Sequence, residues 1–266
     1  MDLKDRAASI RRRIILMNSR AGAGHTGADL SETDILTALY FRVLNISPDR
    51  LEDPDRDRFV LSKGHGVGGY YATLAEAGYL DAELLETYLQ DDSRCPGHPV
   101  RQKTPGVEVN TGGLGHGMPL SCGMALAAKK SHRTYRTFCL CGDGELQEGS
   151  NWEAAMAASH FGLDNLILII DRNELQLADR TEHIMALNPL PDKLRSFGFD
   201  VRETDGNDPV GLAGILQSLK PGDGRPFAVI ARTTKGRGVS FIENRPAWHH
   251  RVPKGDEIAS AIKELE

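Results

Sequence analysis

Apolar side chains recur at steps of four and three near the start of the chain, where Leu3, Ala7, Ile10, Ile14 and Met17 fall on one side of a helical wheel. That period predicts an amphipathic helix over residues 3–17. A glycine-containing loop, AGAGHTGADL, follows, and Ser31 with Asp34 has the spacing of a capping pair for a second helix through about Leu44. The pattern then shortens. RFVLS at 58–62 reads as a buried strand, KGHGVGG leads into a helix over 70–77, and Asp81 is placed to cap another helix carrying Leu84, Leu85, Tyr88 and Leu89. Residues 91–115 are rich in turn formers and show no period. Small residues dominate 118–130, as suits a helix packed tightly on a sheet.

The second half alternates more regularly. YRTFCLC, NLILIID, FDVRET and PFAVIART are continuous apolar or β-branched runs that predict strands. Helical patterns over 147–161, 191–198 and 209–219 separate them. Strands alternating with helices predict an α/β chain, three layers α/β/α around a mostly parallel, doubly wound sheet. No internal repeat or linker interrupts it, so one domain over residues 1–266 is expected. The small-residue faces within 118–128 and 154–158 have two readings, close helix packing inside the domain or a contact surface for another chain.

Composition narrows the function classes. With 266 residues and 40 % hydrophobic ones, the chain is long enough for a large core. A net charge of −5 with scattered Lys and Arg leaves no nucleic-acid footprint. The opening MDLKDRAASIRRR has no apolar signal-peptide core, and the longest strongly apolar run, LILII, is far too short to span a bilayer. Four cysteines without a CxxC pair read as reduced thiols in the cytoplasm, not as a zinc site.

Chemistry-bearing residues cluster on glycine loops. His25, His65, His98 and His116 each directly follow a glycine, and histidines on such loops are often presented to a ligand. CGDGELQEGS places Asp143 between two glycines just past a predicted strand, and Asn173 ends the next strand thirty residues later. That separation is one βαβ unit, whose strands are parallel, so both side chains reach the carboxyl edge where open α/β sheets bind ligands. One carboxylate and one amide are too few for a complete protein cage. Such a set suits Mg²⁺, which completes its shell with phosphate oxygens and water. Gly142 and Gly144 allow a phosphate to approach the backbone, and the helix that follows turns its positive N-terminus toward it. The residues themselves therefore point to Mg²⁺ with a diphosphate.

Two GxGxxG stretches compete with this reading. GAGHTG follows a helix, and GHGVGG is followed by the helical DAELLETYLQ where a dinucleotide fold needs a second strand ending in an acidic residue. A nicotinamide enzyme is the weaker reading.

The GDG of 142–144 followed by Asn173 is similar to the thiamine diphosphate motif, and AGAGHTG, SKGHG, CPGHP, NTGGLGHG, GDGELQEGSNWEAA, IIDRNELQL, DGND and TTKGRGVSFIENRPAWHH occur in the order found in transketolases. Together they make the chain resemble the N-terminal, diphosphate-binding half of a transketolase over about residues 5–250. The resemblance implies thiamine diphosphate and Mg²⁺ (or Ca²⁺ or Mn²⁺) as cofactors, with the metal held by Asp143, Asn173 and the Leu175 carbonyl. It implies diphosphate contacts from Gly144, His65 and His249, and a cofactor border formed by Gly112, Gly113 and Leu114. His25 and His98 would meet substrate hydroxyls, and Glu148 would reach a carboxylate of a partner chain. It further implies that the pyrimidine-binding and C-terminal domains reside on a separate chain in an α2β2 heterotetramer. The sequence departs from the family pattern at Gly113 and His116, and His116 is given no role; of the two histidines in WHH, His249, directly after Trp248, is preferred to His250 for the diphosphate contact. The activity implied is transfer of a two-carbon ketol unit from a ketose, expected to be phosphorylated, to an aldose. A subunit of a 2-oxo acid dehydrogenase or decarboxylase shares the cofactor motif, and a regulatory subunit shares the fold.

Overall fold

The computed structural model describes all residues, 1–266. Helices α1 (Leu3–Ala21) and α2 (Thr26–Ala38) open the chain, a π-turn (Leu39–Val43) extending the second. Strand β1 (Arg58–Leu61) leads into α3 (Val67–Glu76), and a long irregular segment reaches α4 (Gly117–Lys130). The alternation then runs β2 (Thr137–Gly142), α5 (Gly149–His160), β3 (Leu166–Arg172), α6 (Thr181–Ile184), α7 (Leu190–Ser196), β4 (Asp200–Asp205), α8 (Pro209–Ser218), β5 (Phe227–Arg232) and α9 (Asp256–Glu264). The five strands lie in the order β1-β2-β3-β5-β4, every pair parallel.

Why β2 and β3 carry no polar alternation is visible in their packing. Phe138, Leu140, Ile167 and Ile169 face one apolar cluster, shared with residues of α2, α3 and α8. Cys139, Cys141, Leu168 and Ile170 face another, shared with α4, α5 and α7. Strands covered on both faces must be apolar throughout, and the expected three-layer α/β/α architecture follows. Ala125 and Ala128 of α4 and Ala154, Ala155 and Ala158 of α5 are all buried, most of them within the second cluster. Those small residues therefore serve close packing inside the chain. Helix α9 is amphipathic, with Ile258, Ala261 and Ile262 at helical spacing, and Ala261 and, just past its end, Leu265 share one cluster with Ile10 and Ile14 of α1.

Two local expectations are corrected. Ser31 and Asp34 lie inside α2, not at its start. Ser31 Oγ donates to Asp171 Oδ2 of β3 at 2.5 Å, and Asp34 pairs with Arg11 of α1 at 2.5 Å. Tertiary partners, not helix ends, explain these two polar side chains. The segment Ala82–Thr87 is a 3₁₀ helix instead of an α-helix, and Asp81 makes no side-chain cap. Leu85 within it and Tyr88 just past its end are buried and stand three apart, a spacing that three residues per turn aligns on one side.

Candidate functional site

The carboxyl ends of β1, β2, β3 and β5 open onto a single cleft of about 430 Å³. Each strand sends one loop into it. Lys63 and His65 come from β1, Asp143 and Gly144 from β2, Asn173 and Leu175 from β3, and Lys235 from β5. His25 enters from the start of α2, and His249 from the segment before α9. Gly112, Leu114 and Glu148 add to the wall. The site is thus gathered from residues 25 to 249 mainly by strand ends, as expected for an open α/β sheet.

Asp143 is 2 % exposed, and burial raises its pKa against the pull of the Arg172 guanidinium. Its Oδ2 accepts from Glu174 N–H at 2.7 Å and Arg172 Nη1 at 3.1 Å, and its Oδ1 from Gly144 N–H at 2.8 Å. Asn173 Oδ1 accepts from Leu175 N–H at 3.1 Å, a turn that folds this loop back on itself. The Leu175 oxygen accepts from Lys235 Nζ at 3.0 Å. Carboxylate, amide and carbonyl oxygens line one wall, together with Gln176 Oε1, a buried acceptor without a hydrogen-bond partner. An all-oxygen set with free lone pairs fits a hard divalent cation. A Cβ on Gly144 would stand 2.7 Å from Gln176 Oε1, so a larger residue there would displace that amide.

The histidines form a group. The rings of His25 and His65 lie 5.2 Å apart, His65 and His249 5.5 Å, and His25 and His249 5.5 Å, centroid to centroid. Burial, then the neighbouring imidazoles and the Lys235 and Lys63 ammonium groups, lowers the pKa of His25 to about 4. Burial and then Lys235 lower His249 to about 3, and burial and then Lys63 hold His65 well below the ordinary value. All three are neutral at physiological pH, so each offers one N–H donor and one acceptor nitrogen. Lys235 Nζ donates to His249 Nδ1 at 2.7 Å, which leaves the His249 proton on Nε2. Lys235 itself is pushed down to about 8, by burial first and by Lys63 second.

Lys63, Lys235, Glu145, Gln147, Gln176 and Leu177 also line the cleft, although the sequence reading assigns them no role. Lys63 is buried between Asp171, at 2.6 Å, and Glu32, at 3.0 Å. Burial opposes its charge, but the two carboxylates win and raise its pKa. Glu145 accepts from Ser62 Oγ, from Gly115 N–H at 3.0 Å and from Gly142 N–H at 3.1 Å, tying three wall loops together. Lysines just past strands β1 and β5, in SKGHG and TTKGRG, are the available signal for the two cations. Of the sequence-based candidates, His98 and Gly113 are not on the wall itself. His98 is exposed, with its ring packed against Gly112, and Gly113 lies against the His116 ring.

Residues 4–265 match the family described as transketolase, thiamine diphosphate binding domain. The chain belongs to the transketolase family. An apulose-4-phosphate transketolase subunit from Actinobacillus succinogenes is 55 % identical over 266 residues, covering 100 % of this chain and 96 % of that protein. The 6-deoxy-6-sulfo-D-fructose transketolase subunit SqwG of a Clostridium species is 39 % identical, covering 100 % and 97 %. Among solved structures, the transketolase from Leishmania mexicana superposes with a TM-score of 0.94 at 32 % identity, covering 100 % of this chain and 41 % of that one. The chain therefore spans about two-fifths of a solved transketolase and nearly the whole of the two relatives named as transketolase subunits. No helix of this transketolase family member is long and apolar enough to cross a membrane.

Proposed function

We propose that the chain is the N-terminal subunit of a split transketolase, moving a two-carbon ketol unit from a ketose phosphate to an aldose. The observation that carries the reading is the convergence of the Asp143, Asn173 and Leu175 oxygens and the His25, His65 and His249 imidazoles on one cleft. Relatives named as single subunits of transketolases match it over nearly their whole length, which favours this activity over the 2-oxo acid and regulatory readings.

In this reading Asp143, Asn173 and the Leu175 carbonyl hold Mg²⁺, while Gly144 N–H, His65, Lys235 and His249 receive the diphosphate. Gly112, Gly113 and Leu114 border the rings of the cofactor. When bound, thiamine diphosphate supplies an electron sink for breaking the carbon–carbon bond of the ketose. This chain supplies placement and protons. Neutral His25 offers both a donor and an acceptor to the sugar hydroxyls, and His98 is a second imidazole beside Gly112 to meet them. The Nε2–H of His249, with the ring held by Lys235, is the donor it turns toward the diphosphate. Glu148, exposed on the wall, is placed to meet a companion chain bearing the pyrimidine-binding domain, in an α2β2 assembly. The four buried, unpaired cysteines suit a reducing cytoplasm.

Reconstitution tests the reading. The chain and its companion, purified apart and then mixed with thiamine diphosphate and Mg²⁺, should transfer a ketol unit only as the mixture. Robust transfer by this chain alone, or none by the mixture from any ketose phosphate, would overturn it.

A further inference from the structure

His250, the last residue of the WHH triplet, lies outside the cleft wall while touching a ring that belongs to it. Its imidazole stands edge-to-face on His25, centroids 4.5 Å apart and planes at 78°, the shortest ring spacing in the histidine group. The residue is exposed, yet its backbone is anchored on both sides. Trp248 before it is 3 % exposed, packed on Phe241 at 5.6 Å, and Val252 after it is also 3 % exposed. His249 N–H donates to the Pro246 carbonyl at 2.9 Å. The adjacent cation is turned away, because Arg251 lies over the Trp248 ring at 4.1 Å and pairs with Glu257. What remains at the rim is an uncommitted imidazole held in a fixed place beside His25.

We propose that His250 and His25 act as a pair of imidazoles that grips adjacent hydroxyl groups of the donor ketose at the mouth of the cleft. The assignment makes His250 a substrate-positioning residue and rests on the ketol-transfer reading above. Two crossed rings present their nitrogens in different directions, and two neighbouring hydroxyls, each both donor and acceptor, match that pattern. A side chain held by anchored backbone loses little further freedom on binding, which is how positioning residues raise affinity. A purely structural role would be to support the His25 ring, and that role needs no nitrogen at position 250.

The difference is measurable in the complex reconstituted with the companion chain, at saturating thiamine diphosphate and Mg²⁺. The probes are apulose 4-phosphate, the ketose in the name of the Actinobacillus relative, and xylulose 5-phosphate. His250→Phe keeps a ring against His25 and removes both nitrogens, whereas His250→Gln keeps a donor and an acceptor. For His250→Phe the KM for the better donor should rise about tenfold, the scale of one or two uncharged hydrogen bonds, with kcat within about twofold. His250→Gln should recover part of the loss. The dissociation constant of thiamine diphosphate, read from quenching of tryptophan fluorescence, should be unchanged in both. A KM unaffected in His250→Phe, a Gln variant no better than Phe, or a cofactor affinity that falls in step with KM would each overturn the pairing. An active wild-type complex with unaffected variants sinks this inference alone, whereas a wild-type complex that transfers nothing sinks the ketol-transfer reading beneath it.

Discussion

Lys235 Nζ lies 2.7 Å from His249 Nδ1, joining the loop after β5 to the segment that precedes α9. The same ammonium donates to the Leu175 carbonyl, one of the three oxygens assigned to the cation. In the proposed reading one positive side chain therefore reaches both halves of the site, the loop assigned to Mg²⁺ and the histidine assigned to the diphosphate. Lys235→Met keeps the length and apolar volume of the side chain and removes the charge. Thiamine diphosphate should bind roughly ten- to a hundredfold more weakly, the range for a lost charge-assisted hydrogen bond. Titration calorimetry with Mg²⁺ present checks it, and unchanged affinity would remove Lys235 from the site.

Asp143 is the carboxylate of the loop proposed to hold Mg²⁺, buried against Arg172 at 3.1 Å. Asp143→Asn keeps the shape and most of the hydrogen bonds and deletes the carboxylate. Magnesium-dependent cofactor binding should weaken by about a hundredfold or more, since even residues behind the ligands cost up to that much. Asp143→Ala should in addition destabilise the chain by about 3–5 kcal/mol, because Arg172 loses a buried partner. Calorimetry and chemical unfolding separate the two effects. Full complex activity in Asp143→Ala would argue for a non-catalytic role.

How much of this is readable from sequence differs residue by residue. Asp143 and Asn173 are legible because a βαβ unit has a fixed length and direction, so spacing alone brings its strand ends together. The central strands are legible because burial on both faces leaves unbroken apolar runs such as NLILIID. Ser31 and Asp34 mislead, since a capping pair and a pair of buried tertiary partners look the same in one dimension. Lys63 and Lys235 escape notice for a related reason. A lysine past a strand end reads as solvated surface, and only the fold shows Asp171 and Glu32 enclosing one and His249 facing the other. His98 stands beside the wall residue Gly112, and the irregular stretch before α4 has no period from which that placement could be read.

Gly112 gives a steric test of the cofactor border. Its φ is +143°, a region that favours glycine, and an added Cβ would stand 2.9 Å from Cδ2 of His98. Gly112→Ala should cost about 1–3 kcal/mol through backbone strain and move the wall loop together with the His98 ring. A lower thermal midpoint accompanied by a weaker cofactor affinity is expected. A variant with wild-type midpoint and affinity would show that this loop does not border the cofactor.

His25 fixes the expected pH behaviour of the cleft. Its pKa falls from 6.5 to about 4, mainly by burial and next by the charge of His250. A histidine lowered in this way binds fewer protons folded than unfolded between those two values. Its contribution to stability is therefore complete above about pH 6.5 and is lost as the pH falls toward 4. Asp29, raised to about 6 by burial, runs the other way, its folded form gaining protons before the unfolded one as the pH drops below 6. Global unfolding mixes these opposed contributions, so the ring itself is the clearer reporter. In the full chain the C2 proton of His25 should titrate near pH 4 by nuclear magnetic resonance. His250→Phe should move that midpoint upward but leave it below 6.5, because burial, the larger cause, persists. A midpoint at 6.5 in the unaltered chain would mean that His25 is solvated and does not stand in the cleft wall.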